Sequence, residues 1–205
     1  IEKAFTEYPV LEPSFLYGGY PCKDLRHKFL LAKPSEVTDF SDESFPKEIE
    51  IIPLPGHFFD MVGFRTPDDT VFLADCLSSK ETLDKYQISF IYDVAEYLKT
   101  LETVKSIKAK MFVPAHAPAT DDVTELADVN IAKVHEIADK ILSVCSEPIC
   151  FENILQRLFS DYGLTMNFEQ YVLVGSTVRS YLSWLKDNGK LDINFEDNIL
   201  LWKQI

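Results

Sequence analysis

Ile51-Ile52-Pro53-Leu54-Pro55-Gly56-His57, together with the residues from there to Asp75, decides how this chain is read. A β-rich apolar run stops at Pro55-Gly56, a pair that turns a chain into a loop, and a histidine stands at the tip. Val62-Gly63-Phe64-Arg65-Thr66 reads as a strand and Pro67-Asp68-Asp69 as a turn, and residues 70–74 read as a second strand ending at Asp75. Met111-Phe112-Val113-Pro114-Ala115-His116 repeats the design, an apolar strand delivering a histidine at its end. Three strand-end loops thus present His57, Asp75 and His116. Neutral imidazole and carboxylate are the ligands that suit a zinc-like cation. Taken singly, each histidine reads as an ordinary loop residue. The ordered set, each member at a strand end, carries the ligand reading.

Outward from this core, residues 48–54 alternate into a strand. Residues 79–86 read as a short helix or turn. From Phe90 the apolar positions Ile91, Val94, Leu98, Leu101 and Val104 recur at three- and four-residue steps, which marks an amphipathic helix. A strand over 110–114 follows. Strand, strand, strand, helix, strand is an α/β layer arrangement.

Upstream, residues 1–47 carry Pro9, Pro13, Pro21, Pro34 and Pro46 and the pair Gly18-Gly19. They read as mostly irregular, with a helical piece over 1–8 and a strand over 29–32. Phe15, Tyr17 and Tyr20 could wall a pocket or pack over the core.

Beyond Pro118 the chain is almost wholly helical. Leu126, Ile131, Val134, Ala138, Ile141, Leu142 and Cys145 stripe a helix over about 122–146, ended by Pro148. Ile154, Leu155, Leu158 and Phe159 stripe a second, stopped by Gly163. Asn167 caps a third, with Gln170 placed as in a capping box. Residues 190–194 and 198–203 then form a hairpin across Phe195-Glu196-Asp197. Three helices and a two-stranded wing make a winged-helix-like plan, with a domain boundary near residue 120.

At 205 residues there is chain for one large domain or two small ones. The formal charge of −13 argues against broad nucleic-acid binding, which needs a basic face. Residues 121–205 hold fourteen acidic against seven basic side chains, so DNA binding by the wing is disfavoured. Cys22, Cys76, Cys145 and Cys150 lack CxxC spacing and read as reduced thiols of a cytoplasmic protein. No apolar run spans a membrane and no signal peptide opens the chain.

The Pro-x-Pro-Gly-His57 segment leading to Val62-Gly63-Phe64, the Phe72-Leu73-Ala74-Asp75 strand and the Val113-Pro114-Ala115-His116 strand resemble those of metallo-β-lactamase-fold hydrolases. The likeness covers about residues 48–118. It implies an α/β fold, an αββα sandwich with a two-metal site at one edge of the sheets. Carried over, His57 looks like a ligand of the first metal, Asp75 like the carboxylate bridging both, and His116 like a ligand of the second. The tail resembles the helical module appended to lactamase-β-like proteins.

The departure is as informative. The family's first motif, His-x-His-x-Asp-His, occurs nowhere, and the earlier histidine, His27, has no such partners. The expectation is therefore an incomplete sandwich over residues 1–120 and a winged-helix-like domain over 121–205, with the motif lying upstream of Ile1. Three ligands remain where structural zinc takes four and catalytic zinc at least three. Two divalent ions, zinc with iron or manganese as alternatives, are expected in the intact protein and weakly or not at all here.

The implied reaction is hydrolysis of an ester, thioester or lactone through a metal-bound hydroxide, acting on a small molecule. Asp75 is the catalytic candidate, and Phe58, Phe59 and Tyr86 are candidates for substrate contact. A non-catalytic interaction protein and a metal-dependent ribonuclease are the alternatives. For the tail, an interdomain lid or a homodimer contact is expected rather than DNA binding, with Tyr181, Trp184 and Trp202 as candidate buried anchors.

Overall fold

A computed structural model describes residues 10–26 and 38–205. The expectations for residues 1–8, His27 and residues 29–32 lie outside the described residues. Among those described are six α-helices, six strands and two short 3-10 turns.

Four short strands form one sheet in the order β1-β2-β3-β4: Glu50–Pro53, Val62–Arg65, Thr70–Phe72 and Met111–Val113. The first three run antiparallel, joined by hairpin connections, and β4 pairs parallel to β3. A parallel neighbour needs a crossover, supplied by helices α2 (Lys80–Tyr86) and α3 (Val94–Ser106). The pleat sends Ile52, Val71 and Phe112 into the core. The row Ile51, Phe64, Phe72 and Val113, paired in register, faces the other way.

The helical half consists of α4 (Thr124–Val144), α5 (Phe151–Asp161) and α6 (Phe168–Asp187), then the hairpin β5 (Leu191–Glu196) and β6 (Ile199–Gln204). Its boundaries follow local chemistry. Asn167 caps α6 by accepting a hydrogen bond from Gln170 N at 2.8 Å, the forward half of the expected capping box. Helix α4 packs against both α3 and α5. One buried cluster accordingly runs from Ile52 in the sheet through Leu101, Ile141 and Leu158 to Leu191.

Several boundaries differ from the sequence reading, each for a local reason. Strand β3 stops at Phe72 rather than 74, because Ala74 turns left-handed (φ +46°) into a 3-10 turn over Ala74–Cys76. Helix α3 starts at Val94 rather than Phe90, because Asp93 accepts a hydrogen bond from Glu96 N at 3.0 Å and fixes the N-terminus there. The hairpin is tighter than read: Glu196 still pairs with Ile199, and Asp197-Asn198 turns with both residues at positive φ. That is the two-residue turn whose twist matches the strands. Finally, helix α1 (Leu11–Tyr17) stands where only irregular chain was expected. Pro13 falls within its first turn, where a missing N–H costs little, and Gly18 ends it at φ +79°.

Candidate metal centre

The His57 loop is fixed by its contact with α3. Gly56 has φ +120°, and a Cβ there would meet the backbone of Tyr97, so only glycine lets the loop lie on the helix. Its carbonyl accepts from Tyr92 N at 3.0 Å and Asp93 N at 2.9 Å, while the Thr100 hydroxyl donates to Pro55 O at 2.6 Å. The Pro-Gly-His sequence is thus a loop shaped to seat on the first turns of one helix.

Asp75 sits in the 3-10 turn that ends β3, and His116 follows β4, the strand beside it. Ala115 N donates to Ala74 O at 2.9 Å and Ser79 N to His116 O at 2.9 Å, so the parallel pairing carries on past the strands into the two loops. The three side chains meet. His57 Nε2 lies 3.8 Å from Asp75 Oδ2, and His116 Nε2 lies 3.2 Å from Asp75 Oδ1. Each carboxylate oxygen therefore faces a different imidazole. Asp75 and His116 are open to solvent, and His57 is the sheltered member at 22% side-chain exposure.

Burial lowers the affinity of His57 for a proton; Asp75 and a hydrogen bond to the Phe90 backbone pull the other way, and His116 adds to the lowering. The net fall favours the neutral ring, the form that can ligate a cation. In kind, the donors fit a divalent metal. In number they do not complete a site: among the described residues no group of three or more His, Cys, Asp or Glu side chains could hold an ion. Each oxygen of the one carboxylate has a single imidazole nitrogen beside it. Cys76, next in the chain, is no ligand candidate, since it is fully buried and its thiol is pushed up to about 12 by that burial.

Phe58 and Phe59 stack on each other at 4.2 Å and meet Phe15 and Tyr92 at ring-centroid distances of 5.4–6.4 Å. Phe90 closes the group against His57, with 5.5 Å between centroids. An aromatic rim therefore stands beside His57. Phe15 belongs to it because α1 brings it there. Phe90 is not singled out by the sequence, where it reads as the start of a helix. Phe15 and Tyr92 also line a cleft of about 460 Å³, together with Arg179, Ser180 and Trp184 but with none of the three ligand candidates. Tyr86 ends α2, is 52% exposed, and takes Lys85 Nζ over its ring at 4.8 Å.

No protein-family model matches the sequence, and no curated protein is significantly similar to it. Solved structures do match. A metallo-beta-lactamase family protein from Thermus thermophilus superposes with a TM-score of 0.68 at 16% identity, covering 98% of this chain and 67% of that one. A beta-lactamase domain protein from Burkholderia ambifaria superposes with a TM-score of 0.61 at 13% identity, covering 77% of this chain and 48% of that one. This chain thus spans about two thirds of the first neighbour and about half of the second. The resemblance noted in the three loops extends to the folded chain: its mixed α/β architecture is that of metallo-β-lactamase proteins.

Proposed function

We infer that the chain is part of a metal-dependent hydrolase, in which His57, Asp75 and His116 supply three ligands of a two-cation centre and further ligands complete it. The observation that carries this reading is the division of the Asp75 carboxylate, one oxygen toward each imidazole. A carboxylate so placed could serve as a ligand together with either imidazole, so Asp75, His57 and His116 are the residues that would hold the ions. Divalent ions bound there would supply Lewis acidity toward a carbonyl oxygen and an activated water, with zinc, iron or manganese all compatible with the donors. The chain's own residues would do the rest. Asp75 places a carboxylate between the two imidazoles, the partly sheltered His57 is biased toward the neutral ring that can ligate, and the rim of Phe58 and Phe59 favours acyl groups. The substrate class is an ester, thioester or lactone of a small molecule.

The sheet supports the incomplete-sandwich part of this reading. Its outer face carries Ile51, Phe64, Phe72 and Val113, with Phe72 43% and Met111 36% exposed. Phe40 and Phe45 cover Phe64 in part. A sheet apolar on both faces belongs between two layers. Residues from about 121 on, three helices and a hairpin, are read as the winged-helix-like C-terminal domain. Its acid excess weighs against the ribonuclease alternative.

A second reading, a non-catalytic interaction protein that keeps the fold, is favoured by the small donor set among the described residues. Elemental analysis and turnover of an ester, thioester and lactone panel by the intact protein separate the two. Bound zinc and hydrolysis, both lost in Asp75→Ala, are expected for the hydrolase. Zinc retained by Asp75→Ala, or an intact protein with neither metal nor turnover, would remove it.

A further inference from the structure

Residues 74–79, which carry Asp75, are gripped from two sides. On one side lies the extension of β4, through the Ala115–Ala74 and Ser79–His116 backbone bonds. On the other stand two buried side chains from different helices. The Tyr97 hydroxyl of α3 donates to Cys76 O at 2.9 Å. Asn130 of α4 engages both backbone groups of Ser78: its Oδ1 accepts from Ser78 N at 3.1 Å and its Nδ2 donates to Ser78 O at 2.8 Å. Nδ2 also donates to Leu126 O at 2.8 Å, one turn back, which locks the amide in place. Tyr97 is 6% exposed and Asn130 2%, so water cannot take over either set of bonds.

The turn they hold is not one the chain adopts freely. Ala74 sits at φ +46°, a region costly for a residue with a Cβ, and Asp75 follows at φ −91°, ψ 19°. Such a conformation lasts only where its surroundings over-determine it. Tyr97 also reaches a second ligand loop, because Gly56, beside His57, lies directly on its backbone. One residue of α3 thus touches the His57 loop with its main chain and the Asp75 loop with its hydroxyl. Asn130 fixes Ser78, whose neighbour Ser79 binds the carbonyl of His116.

We propose that Tyr97 and Asn130 are positioning residues of the metal centre, a buried clamp that sets Asp75 against His57 and His116. The proposal rests on the metal-ligand reading of those three groups. Partners behind a ligand commonly govern metal affinity because they fix the ligand's orientation before the ion arrives. Here the clamp acts on the backbone that carries the ligand. A purely structural role would lower stability and leave the imidazoles where they are.

Tyr97→Phe deletes the donor and keeps the ring, and Asn130→Ala removes the other jaw. Tyr162→Phe is the control, since it deletes another hydroxyl of the helical region, bonded to Glu136 at 3.0 Å and to none of the ligand loops. Two readouts are taken on the full chain: the ring proton–carbon NMR signals of His57 and His116 without metal, and zinc affinity by competition with a chelating dye. The clamp variants are expected to move both sets of ring signals and to weaken zinc binding by about 10-fold or more, with the control unchanged in both. Folded Tyr97→Phe with wild-type ring signals and wild-type zinc affinity would overturn the proposal. If Asn130→Ala fails to fold, Tyr97→Phe decides alone. If the wild-type chain retains no zinc, the ring signals decide: displaced signals uphold the clamp although the metal reading is in difficulty, and undisplaced signals reject it.

Discussion

Where α5 packs on α6 the interior is mostly hydrocarbon, with Thr177 and Tyr181 as its buried polar members. Ile154, Leu155 and Leu158 of α5 and Val178 and Leu182 of α6 are fully buried, and the helix ends are closed by ordinary devices such as the Asn167 cap. The edge of the sheet is made differently. There Ala74 holds a left-handed backbone and Gly56 lies against a helix, while Tyr97, Thr100 and Asn130 bury polar groups to hold the His57 and Asp75 loops. The first region spreads its stability over many interchangeable contacts. The second concentrates it in a few directional bonds at fixed positions. Sites that must place charged groups within a few ångströms of one another are built in the second way, at a cost that the first kind of packing offsets.

The sharpest test of this contrast pairs one substitution from each region. Gly56→Ala drives a methyl into the Tyr97 backbone at a φ that disfavours any side chain. It is expected to cost about 3 kcal/mol or more and to displace the His57 ring signals in whatever folded protein remains. Leu158→Ala opens a cavity in the helical core and is expected to cost about 2–5 kcal/mol by urea unfolding. Its His57 and His116 signals should match the wild type. If Leu158→Ala displaced those signals as far as Gly56→Ala, the two regions would not differ as argued.

A milder probe is Thr100→Val, which keeps the shape of a side chain 4% exposed and removes its bond to Pro55 O. Leaving this part-buried carbonyl without its partner costs at most about 1–3 kcal/mol. The loss should appear as faster hydrogen exchange in the 55–58 loop, with the α5 amides unchanged. Equal acceleration in α5 would show that the loop and the helical core open as one unit.

The same contrast explains what could be read from the sequence. Helical stripes, the Asn167 cap and the Pro-Gly-His loop are local signals, each contained within a few residues. The order of His57, Asp75 and His116 was legible because each stands at the end of an apolar strand run. Tyr97 and Asn130 were not legible. On a helix a tyrosine and an asparagine are ordinary residues until the loop around Cys76 and Ser78 is folded against them. Helix α1 was hidden by Pro13, which reads as a breaker unless the helix start is already known. Phe15 joins the aromatic rim through that helix alone, so its place was hidden too.

The smallest expected effects come from two helix caps that look alike and sit in different regions. Asn167 caps α6 and Ser79 caps α2, each side chain accepting a backbone N–H three residues on, from Gln170 at 2.8 Å and Thr82 at 3.2 Å. Removing a cap costs about 1 kcal/mol in either case. The cost should be distributed differently. Asn167→Ala removes a group belonging to α6 alone, so its loss should appear in the global unfolding midpoint, with the ligand loops unmoved. Ser79, by contrast, also donates its backbone N–H to His116 O, and Thr82 Oγ1 lies 3.4 Å from the same carbonyl. Fraying the first turn of α2 therefore loosens the carbonyl side of His116 before it reaches the core. Ser79→Ala should accelerate amide exchange at residues 79–82 and shift the His116 ring, at a midpoint close to the wild type. A His116 signal that ignored Ser79→Ala would mean that the loop is held by β4 alone and that α2 has no part in placing the ligand.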